Sequence, residues 1–487
     1  MMTIAEYLKT VDEVIAQGPF QDTWESLSAF RIPQWYREGR FGLFIHWGAY
    51  SVPATESEWY PRQMYLKGTK SWAHRVKTYG KDGDYREVVE QFSPTRFDAD
   101  EWLEVFKQSG AKYIMPVAEH HDGVKLYKSE LNRWNTADMP NTRRDFMTEL
   151  HEACDRHGMG FLCSNHRAEH FWFLNGARAN CPNSEVTKGL YSDLYGPAAL
   201  HTTGNPWDNE KCPPTDAWCK DWLASACEMI DRLQPLAVYF DWWINKPEFK
   251  PYLKKFLAYY YNRGARWGKE VAVFYKVGAV MKGCAIFDVE RGQIDGISPV
   301  LWQNDTAIAK NSWGYTEGNR FKTPREILLN MIDVISKNGC YMLNVGPKAD
   351  GTICDEEKHV LLSIGDWMRK NGEAIYGALP YDVYGEGKVQ KAGSFKENLR
   401  YGKKDYRFTY KTGAIYVFVM SEKPVREHVV KTLRQASEGG IRYKIRNVEL
   451  LGQDVPVRWT QDEKAFRFSF DGTVDRRLPL CVKVSVD

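Results

Sequence analysis

The sequence predicts an α/β protein: a (β/α)8-like, TIM-type barrel followed by a C-terminal antiparallel β-sandwich. Three observations carry this. Up to Tyr376, short apolar runs alternate with amphipathic helical stretches about eight times. Strand–helix alternation argues a parallel sheet, and eight units argue closure. Beyond Tyr376 the residues alternate with period two around turn signals, as antiparallel hairpins do. Finally, polar or titratable groups follow the apolar runs at the same end each time. The expected boundaries are 1–376 for the barrel unit and 377–487 for the sandwich.

Residues 1–40 read as an amphipathic N-terminal segment. Phe41-Gly-Leu-Phe-Ile-His46 is the first strand, and it ends in a histidine. A loop with Glu58-Trp-Tyr60 follows, then a basic, aromatic helical stretch from about Tyr65 to Tyr79. Phe97–Ser109 is a helix: Asp98 and Glu101 have capping-box spacing, Trp102, Val105 and Phe106 share a face, and Gly110 stops it. Lys112–Val117 is the second strand and runs into Glu119-His-His-Asp-Gly123. Arg144–His157 is a helix ended by Gly158. Met159–Cys163 is the third strand, followed by Ser164-Asn-His-Arg-Ala-Glu-His170. The segment 171–215, rich in Asn, Gly and Pro, reads as a long surface loop.

Helix Trp218–Leu233 feeds the fourth strand, Leu236–Phe240. That strand is apolar throughout and meets Asp241-Trp-Trp243 at its end. Helix Pro247–Asn262 leads to the fifth strand, Val271–Tyr275. Cys284–Asp288 is the sixth, followed by Val289-Glu-Arg-Gly292, and Pro299–Gln303 the seventh. Helix Pro324–Lys337 has Pro in its first turn. Cys340–Val345 is the eighth strand, and helix Glu356–Lys370 closes at Asn371-Gly372. Helices between strands five, six and seven are short or missing, so the barrel is expected to be distorted there. Asp405–Met420 is a hairpin around Lys-Thr-Gly, with further strands in Arg458–Phe470 and Leu478–Val486.

Composition excludes several classes. A net charge of +3 over 487 residues, with no Lys/Arg block, implies no nucleic-acid partner. No apolar run approaches the roughly 18 residues of a membrane span, so no membrane partner is expected. The ten cysteines are scattered without a CxxC pair, which argues against zinc and for a reducing compartment. Met1–Thr10 has no basic, apolar or cleavable leader pattern, so the expected location is cytoplasmic. Eighteen Trp and 27 Tyr can fill a large core, and indoles also suit sugar rings.

The strand ends carry His46, then His120-His121-Asp122, then Asn165-His166, then Asp241, then Glu290. A single strand-end Asp usually caps a helix, and a single His is usually a satisfied hydrogen-bonder. Five agreeing ends mark the C-terminal face of a barrel, where active sites are built. Adjacent histidines on extended backbone point to opposite sides, so His120 and His121 would not share an ion. No metal and no cofactor are expected. There is neither a Gly-rich phosphate loop nor a G-x-S-x-G elbow. A carboxylate pair, Asp241 and Glu290, remains among imidazoles and indoles, and that is the equipment of glycoside hydrolysis.

Trp35-Tyr-Arg-Glu-Gly-Arg-Phe-Gly-Leu-Phe-Ile-His-Trp-Gly48, Glu58-Trp-Tyr60, His120-His-Asp-Gly123, Val238-Tyr-Phe-Asp241, Ser312-Trp-Gly-Tyr315, Leu343-Asn-Val-Gly-Pro347, Asp350-Gly351 and Asn371-Gly-Glu-Ala-Ile-Tyr376 occur in this order. Together they resemble the α-L-fucosidases of glycoside hydrolase family 29. The resemblance implies a (β/α)8-like catalytic domain, a β-sandwich and a retaining double displacement. It implies Asp241 as nucleophile and His46, Glu58, Trp59, His120 and His121 as fucose-binding positions. Tyr239 and Trp313 are implied as walls rather than hydrogen-bonders, with Trp59, Trp242 and Trp313 facing the sugar's methyl and ring. Glu290, in Asp288-Val-Glu-Arg-Gly292, resembles the acid/base site of other members. Gln303 stands where many members have the Glu of a Trp-Glu pair. Glu119 stands where many have Lys, and Asn165–His170 replaces a Tyr-Tyr-Ser type of strand end. Both departures are expected at the rim, where they bear on the aglycone.

The implied function is a retaining exo-α-L-fucosidase that hydrolyses terminal α-L-fucosyl residues of glycans or glycosides. Its partner would be a fucosylated oligosaccharide or glycoconjugate, and a homo-oligomer is compatible with it. The alternatives are a related α-L-glycosidase, a transfucosylase, or a non-catalytic fucose-binding protein, the last motivated by Gln303. The 377–487 unit is expected to cover the barrel's side.

Overall fold

The computed structural model describes residues 2–180, 193–200, 212–388, 391–398, 400–435 and 444–487. Eight parallel strands close into a barrel. They are β1 (Phe41–Ile45), β2 (Tyr113–Glu119), a third strand in two pieces, β3 (Gly160–Phe161) and β4 (Cys163–Asn165), then β5 (Ala237–Phe240), β6 (Ala272–Tyr275), β7 (Ile286–Glu290), β8 (Trp302–Ala307) and β9 (Gly339–Val345). β1 pairs with β9 on one side and with β2 on the other, which closes the ring. β1, β2 and β9 are buried along their whole length, as strands between a packed interior and outer helices must be.

Local chemistry sets the helix starts. Asp98 caps Ala99–Gln108 by accepting from the Glu101 amide at 3.0 Å. Thr323 and Glu326 form a reciprocal capping box on Pro324–Ser336. Several expectations are corrected. The helix expected over 65–79 is two pieces, Tyr60–Gln63 and Lys70–Thr78, separated by Gly68 at φ +97°. The helix expected from Arg144 starts at Phe146, capped by Asp145. The seventh strand lies at Trp302–Ala307, C-terminal to its expected place, because Pro299 donates no ladder hydrogen bond.

The segment from 171 is not a surface loop where it is described. Arg167–Phe173 is a helix buried on all sides, and Leu194, Tyr195 and Ala198 are buried beside it. Phe171, Trp172 and Phe173 supply more apolar area than a surface loop could leave in water. Residues 181–192 and 201–211, with Cys181, lie outside the described residues. The nine described cysteines are free, and all but Cys212 are buried.

No helix stands between β6 and β7, or between β7 and β8. The gap leaves an apolar groove of about 1170 Å³ whose lining includes Phe287, Val300 and Leu379. Among the described residues Glu38 is the one carboxylate lining it, so they offer no facing acid pair there.

The C-terminal region is antiparallel. Its strands are β10 (Leu379–Glu386), β11 (Tyr406–Lys411), β12 (Ala414–Val419), β13 (His428–Val430), β14 (Ile445–Leu450), β15 (Val457–Gln461), β16 (Phe466–Phe470) and β17 (Leu480–Val486). One sheet runs β10-β11-β12-β17-β14 and the other β13-β16-β15. The predicted hairpin is β11–β12, turning at Gly413 with φ +80°. Phe408, Val417 and Val484 of the larger sheet share one apolar cluster with Phe466 and Phe468 of the smaller. Tyr416, Phe418 and Cys481, by contrast, belong to the core cluster of the barrel. Arg407 ties β11 to the helix Pro324–Ser336 through Asp333, at 2.6 Å. No described helix is long and apolar enough to cross a membrane.

Candidate active site

The residues that follow the barrel strands converge on one cavity of about 160 Å³. Every residue singled out for the site lines it: His46, Glu58, Trp59, His120, His121, Tyr239, Asp241, Trp242, Glu290 and Trp313. Phe44, His166, Lys276, Asp305 and Phe395 complete the lining. Sequence reasoning noted His166 as a strand end without giving it a role, and passed over the other four.

Asp241 follows β5 directly. Its Oδ2 is 3.4 Å from both His121 Nε2 and His166 Nδ1, and its Oδ1 is 3.4 Å from Lys276 Nζ. Burial works against its charge. The ammonium of Lys276 and the imidazoles of His166 and His121 outweigh that and hold its carboxyl well below the usual range. Asp241 is therefore an ionised carboxylate with little solvent around it.

Glu290 ends β7. Its Oε2 accepts from Lys276 Nζ at 2.6 Å and from the Trp242 indole at 2.7 Å. Burial raises its pKa, and Asp305 and Asp241 add to the rise against the pull of Lys276. The two carboxyl groups thus share one cation yet are pushed in opposite directions, the arrangement that separates an acid from a nucleophile.

Lys276 also lies 3.5 Å from Asp305 and 3.8 Å from Asp288. Burial disfavours its charge, but these four carboxyl groups keep it charged, with its pKa well above the usual lysine value. Asp288 is pushed well up by burial and by Asp305, against the pull of Lys276. Tyr239 lines the cavity, and its hydroxyl donates to Asp305 Oδ2 at 2.9 Å. Trp242 likewise bonds Glu290 rather than only presenting a face.

The histidines pack ring against ring. His120 and His121 have centroids 4.4 Å apart, and His120 and His166 4.9 Å. The expectation that His120 and His121 point to opposite sides is wrong, because both follow β2 rather than lie in it and turn toward the same cavity. His46 Nδ1 is 2.6 Å from Asn344 Oδ1, while Asn344 Nδ2 donates to the Trp313 carbonyl at 2.7 Å. That second bond orients the amide, so His46 Nδ1 carries the proton and its Nε2 is an acceptor. Burial, with neighbouring imidazoles, lowers the pKa of His46 and His120 well below normal and keeps them neutral. His46, His120 and His166, and separately His121, His166 and Asp241, have donor atoms within 4.8 Å of one another. A metal ion could bridge either set, and sugar hydroxyls could use the same donors and acceptors.

Glu58 Oε2 accepts from Ser312 Oγ at 2.9 Å and from the amides of Trp313 and Gly314 at 2.8 and 3.3 Å. The carboxylate thereby fixes the Ser-Trp-Gly turn. Trp313 itself is held between His46, at 5.1 Å, and the Arg291 guanidinium, at 4.7 Å. Trp59 stands edge-on to His121 at 5.8 Å.

Gln303 does not line the cavity. It is fully buried inside the barrel, where its Nε2 donates to Asp288 and its Oε1 accepts from Tyr36. The departures expected at the rim are also elsewhere. Glu119 is fully buried and paired with Arg167 at 2.6 Å, and Arg167 also binds Asp221. Glu169 lies 3.4 Å from His121 Nε2, the same nitrogen that approaches Asp241.

The family model described as Alpha-L-fucosidase matches residues 7–373. Plasma alpha-L-fucosidase of Homo sapiens is 28% identical over 375 residues, which are 73% of this chain and 72% of that one. Tissue alpha-L-fucosidase of Rattus norvegicus is 27% identical over 391 residues, 76% of each chain. Among solved structures, Thermotoga maritima alpha-fucosidase in complex with fucose superposes with a TM-score of 0.70 at 25% identity, covering 96% of this chain and 100% of that one.

Proposed function

From the premise that the chain belongs to the alpha-L-fucosidase family, we propose that it is a retaining exo-α-L-fucosidase acting on fucosylated oligosaccharides or glycoconjugates. Asp241 is the nucleophile and Glu290 the acid/base. The division into a catalytic unit, 1–376, and a C-terminal unit, 377–487, is part of the same proposal.

The observation that carries the mechanism is the shared ammonium. Legs of 3.4 Å to Asp241 Oδ1 and 2.6 Å to Glu290 Oε2 limit those two oxygens to about 6 Å apart, even laid end to end. Inverting enzymes keep their carboxyl groups roughly 6.5–9.5 Å apart, to leave room for a water, and retaining ones roughly 5–5.5 Å. The spacing supports direct attack.

In the first step an Asp241 oxygen attacks C1 of the fucosyl ring, the bond from C1 to the leaving oxygen breaks, and the Glu290 proton goes to that oxygen. In the second step water attacks C1, its proton goes to Glu290, and the ester bond to Asp241 breaks. The product has the starting anomeric configuration, and both carboxyl groups return to their initial states. The low pKa of Asp241 suits the nucleophile, and the raised pKa of Glu290 suits the acid. The neutral imidazoles of His46 and His120 supply acceptors as well as donors for ring hydroxyls. Trp59 and Trp313 face apolar parts of the sugar. A cavity of about 160 Å³ suits one ring and therefore a terminal residue.

The test is release from an aryl α-L-fucoside by wild type and Asp241→Gly, with and without azide. Wild-type turnover, its collapse in the variant and recovery as β-L-fucosyl azide are the expected results. A wild type that binds L-fucose but releases nothing would sink the proposal.

A further inference from the structure

Residues 391–398 lie across the mouth of the active site as a strap. It is held at several points, beginning with the Lys391 carbonyl, which accepts from Gln293 Nε2 at 3.1 Å. Gly393 exchanges backbone bonds with Gln293, the shorter at 2.7 Å. The Phe395 amide donates to the carbonyl of Glu290 at 2.9 Å. The Glu397 carboxylate accepts from Lys322 at 2.7 Å, from Arg291 at 3.3 Å and from the Thr306 hydroxyl. The close seat needs a glycine beneath it: a Cβ on Gly292 would stand 2.1 Å from the Gly393 oxygen.

The strap presents Phe395 in a way that folding does not explain. Its φ is +59°, a conformation a bulky residue adopts only when its surroundings impose it. Phe395 as a residue is 57% exposed, so no core burial compensates. All the other residues lining the catalytic cavity are buried or half-buried, so Phe395 stands at the mouth. Its backbone is bonded to the same residue that carries the proposed acid, and the leaving group must pass on that side for Glu290 to reach its oxygen.

We infer that Phe395 forms the binding site for the leaving group: its face stacks on the apolar C–H side of the pyranose to which the fucosyl residue is attached. Pyranose C–H groups turn weakly positive hydrogens toward the negative face of an aromatic ring. The strap fixes the height of that ring relative to Glu290 through the amide bond. Through Glu397 it also fixes Arg291, which stacks on Trp313 of the fucose pocket. One strap thus positions a wall on each side of the scissile bond. This inference rests on the fucosidase reading above.

The test compares two substrates with the same fucosyl group. One is α-L-fucosyl fluoride, whose leaving group has no ring to stack. The other is the best substrate among α-L-fucosyl galactosides of differing linkage. Phe395→Ala is expected to lower the ratio of kcat/KM for the galactoside to that for the fluoride by about ten-fold, the scale of one aromatic stacking contact. Gly292→Ala, which lifts the strap, is expected to lower the same ratio, and Phe395→Tyr to restore it. An equal loss on both substrates, or no loss on the galactoside, overturns the leaving-group site. A wild type inert on both substrates overturns the hydrolase reading itself, and this inference with it.

Discussion

Lys276 is hydrogen-bonded to Glu290, with Nζ 2.6 Å from Oε2, and the same nitrogen reaches Asp241 at 3.4 Å. One cation therefore touches both members of the carboxyl pair. What separates their protonation is the remainder of each shell. Asp241 faces two imidazoles, whereas Glu290 lies near the carboxyl groups of Asp305 and Asp241.

Replacing Lys276 with Met tests this balance. The lysine lowers the pKa of both groups, so its loss moves both upward. The acid limb of the kcat/KM profile follows ionisation of Asp241 and moves to higher pH. The basic limb follows deprotonation of Glu290 and moves the same way. At neutral pH kcat/KM falls by roughly 10²–10³-fold, the scale of one lost electrostatic partner in a dry site. A profile that falls in height while both limbs stay in place would show that Lys276 only supports the fold.

Glu290→Gln keeps an acceptor for the Trp242 indole and removes the transferable proton. Activity on an α-L-fucosyl galactoside, whose leaving oxygen needs protonation, is expected to drop by roughly 10²–10⁴-fold. The kcat/KM for an aryl fucoside with an acidic phenol, which reports the first step without the water attack that also uses Glu290, drops much less, and the losses are compared as kcat/KM. Equal losses on the two substrates would remove Glu290 from the acid role.

Arg167 is 2% exposed and lies between Glu119 and Asp221. Arg167→Met leaves two buried carboxylates without their cation and is expected to destabilise the fold by about 3–5 kcal/mol. Glu119→Lys, which introduces the residue many family members carry, sets two cations against each other and destabilises in the same direction. Urea unfolding followed by tryptophan fluorescence measures both. A shift within about 0.5 kcal/mol of wild type, as for an ordinary surface change, would show that the pair is not structurally important.

Much of the site was legible because its residues follow strands that are apolar throughout. His46, Asp241 and Glu290 each stand at the end of such a run, and a polar group there is visible without a structure. Lys276 stands in the same relation to β6, one residue past Tyr275, and the rule could have found it. Asp305 stays hidden when the seventh strand is read as Pro299–Gln303. With Trp302–Ala307 as the strand, Asp305 lies within it and faces the cavity. Phe395 left no local sign. More than a hundred residues separate it from Asp241, and nothing in its own segment connects it to the barrel.

The sequence by itself determined the barrel, the antiparallel C-terminal region and the family, because periodicity, strand ends and motifs are local properties of the chain. It also singled out ten residues that line one cavity. Only the tertiary structure decided which of them carry charge and which groups lie beneath them. It turned Tyr239 and Trp242 into hydrogen-bond donors, moved Gln303 and Glu119 out of the site, and brought Lys276 between the two carboxyl groups. The reason is physical. Protonation depends on burial and on distances of a few ångströms between groups far apart in the chain, and neither is encoded in any single stretch of sequence.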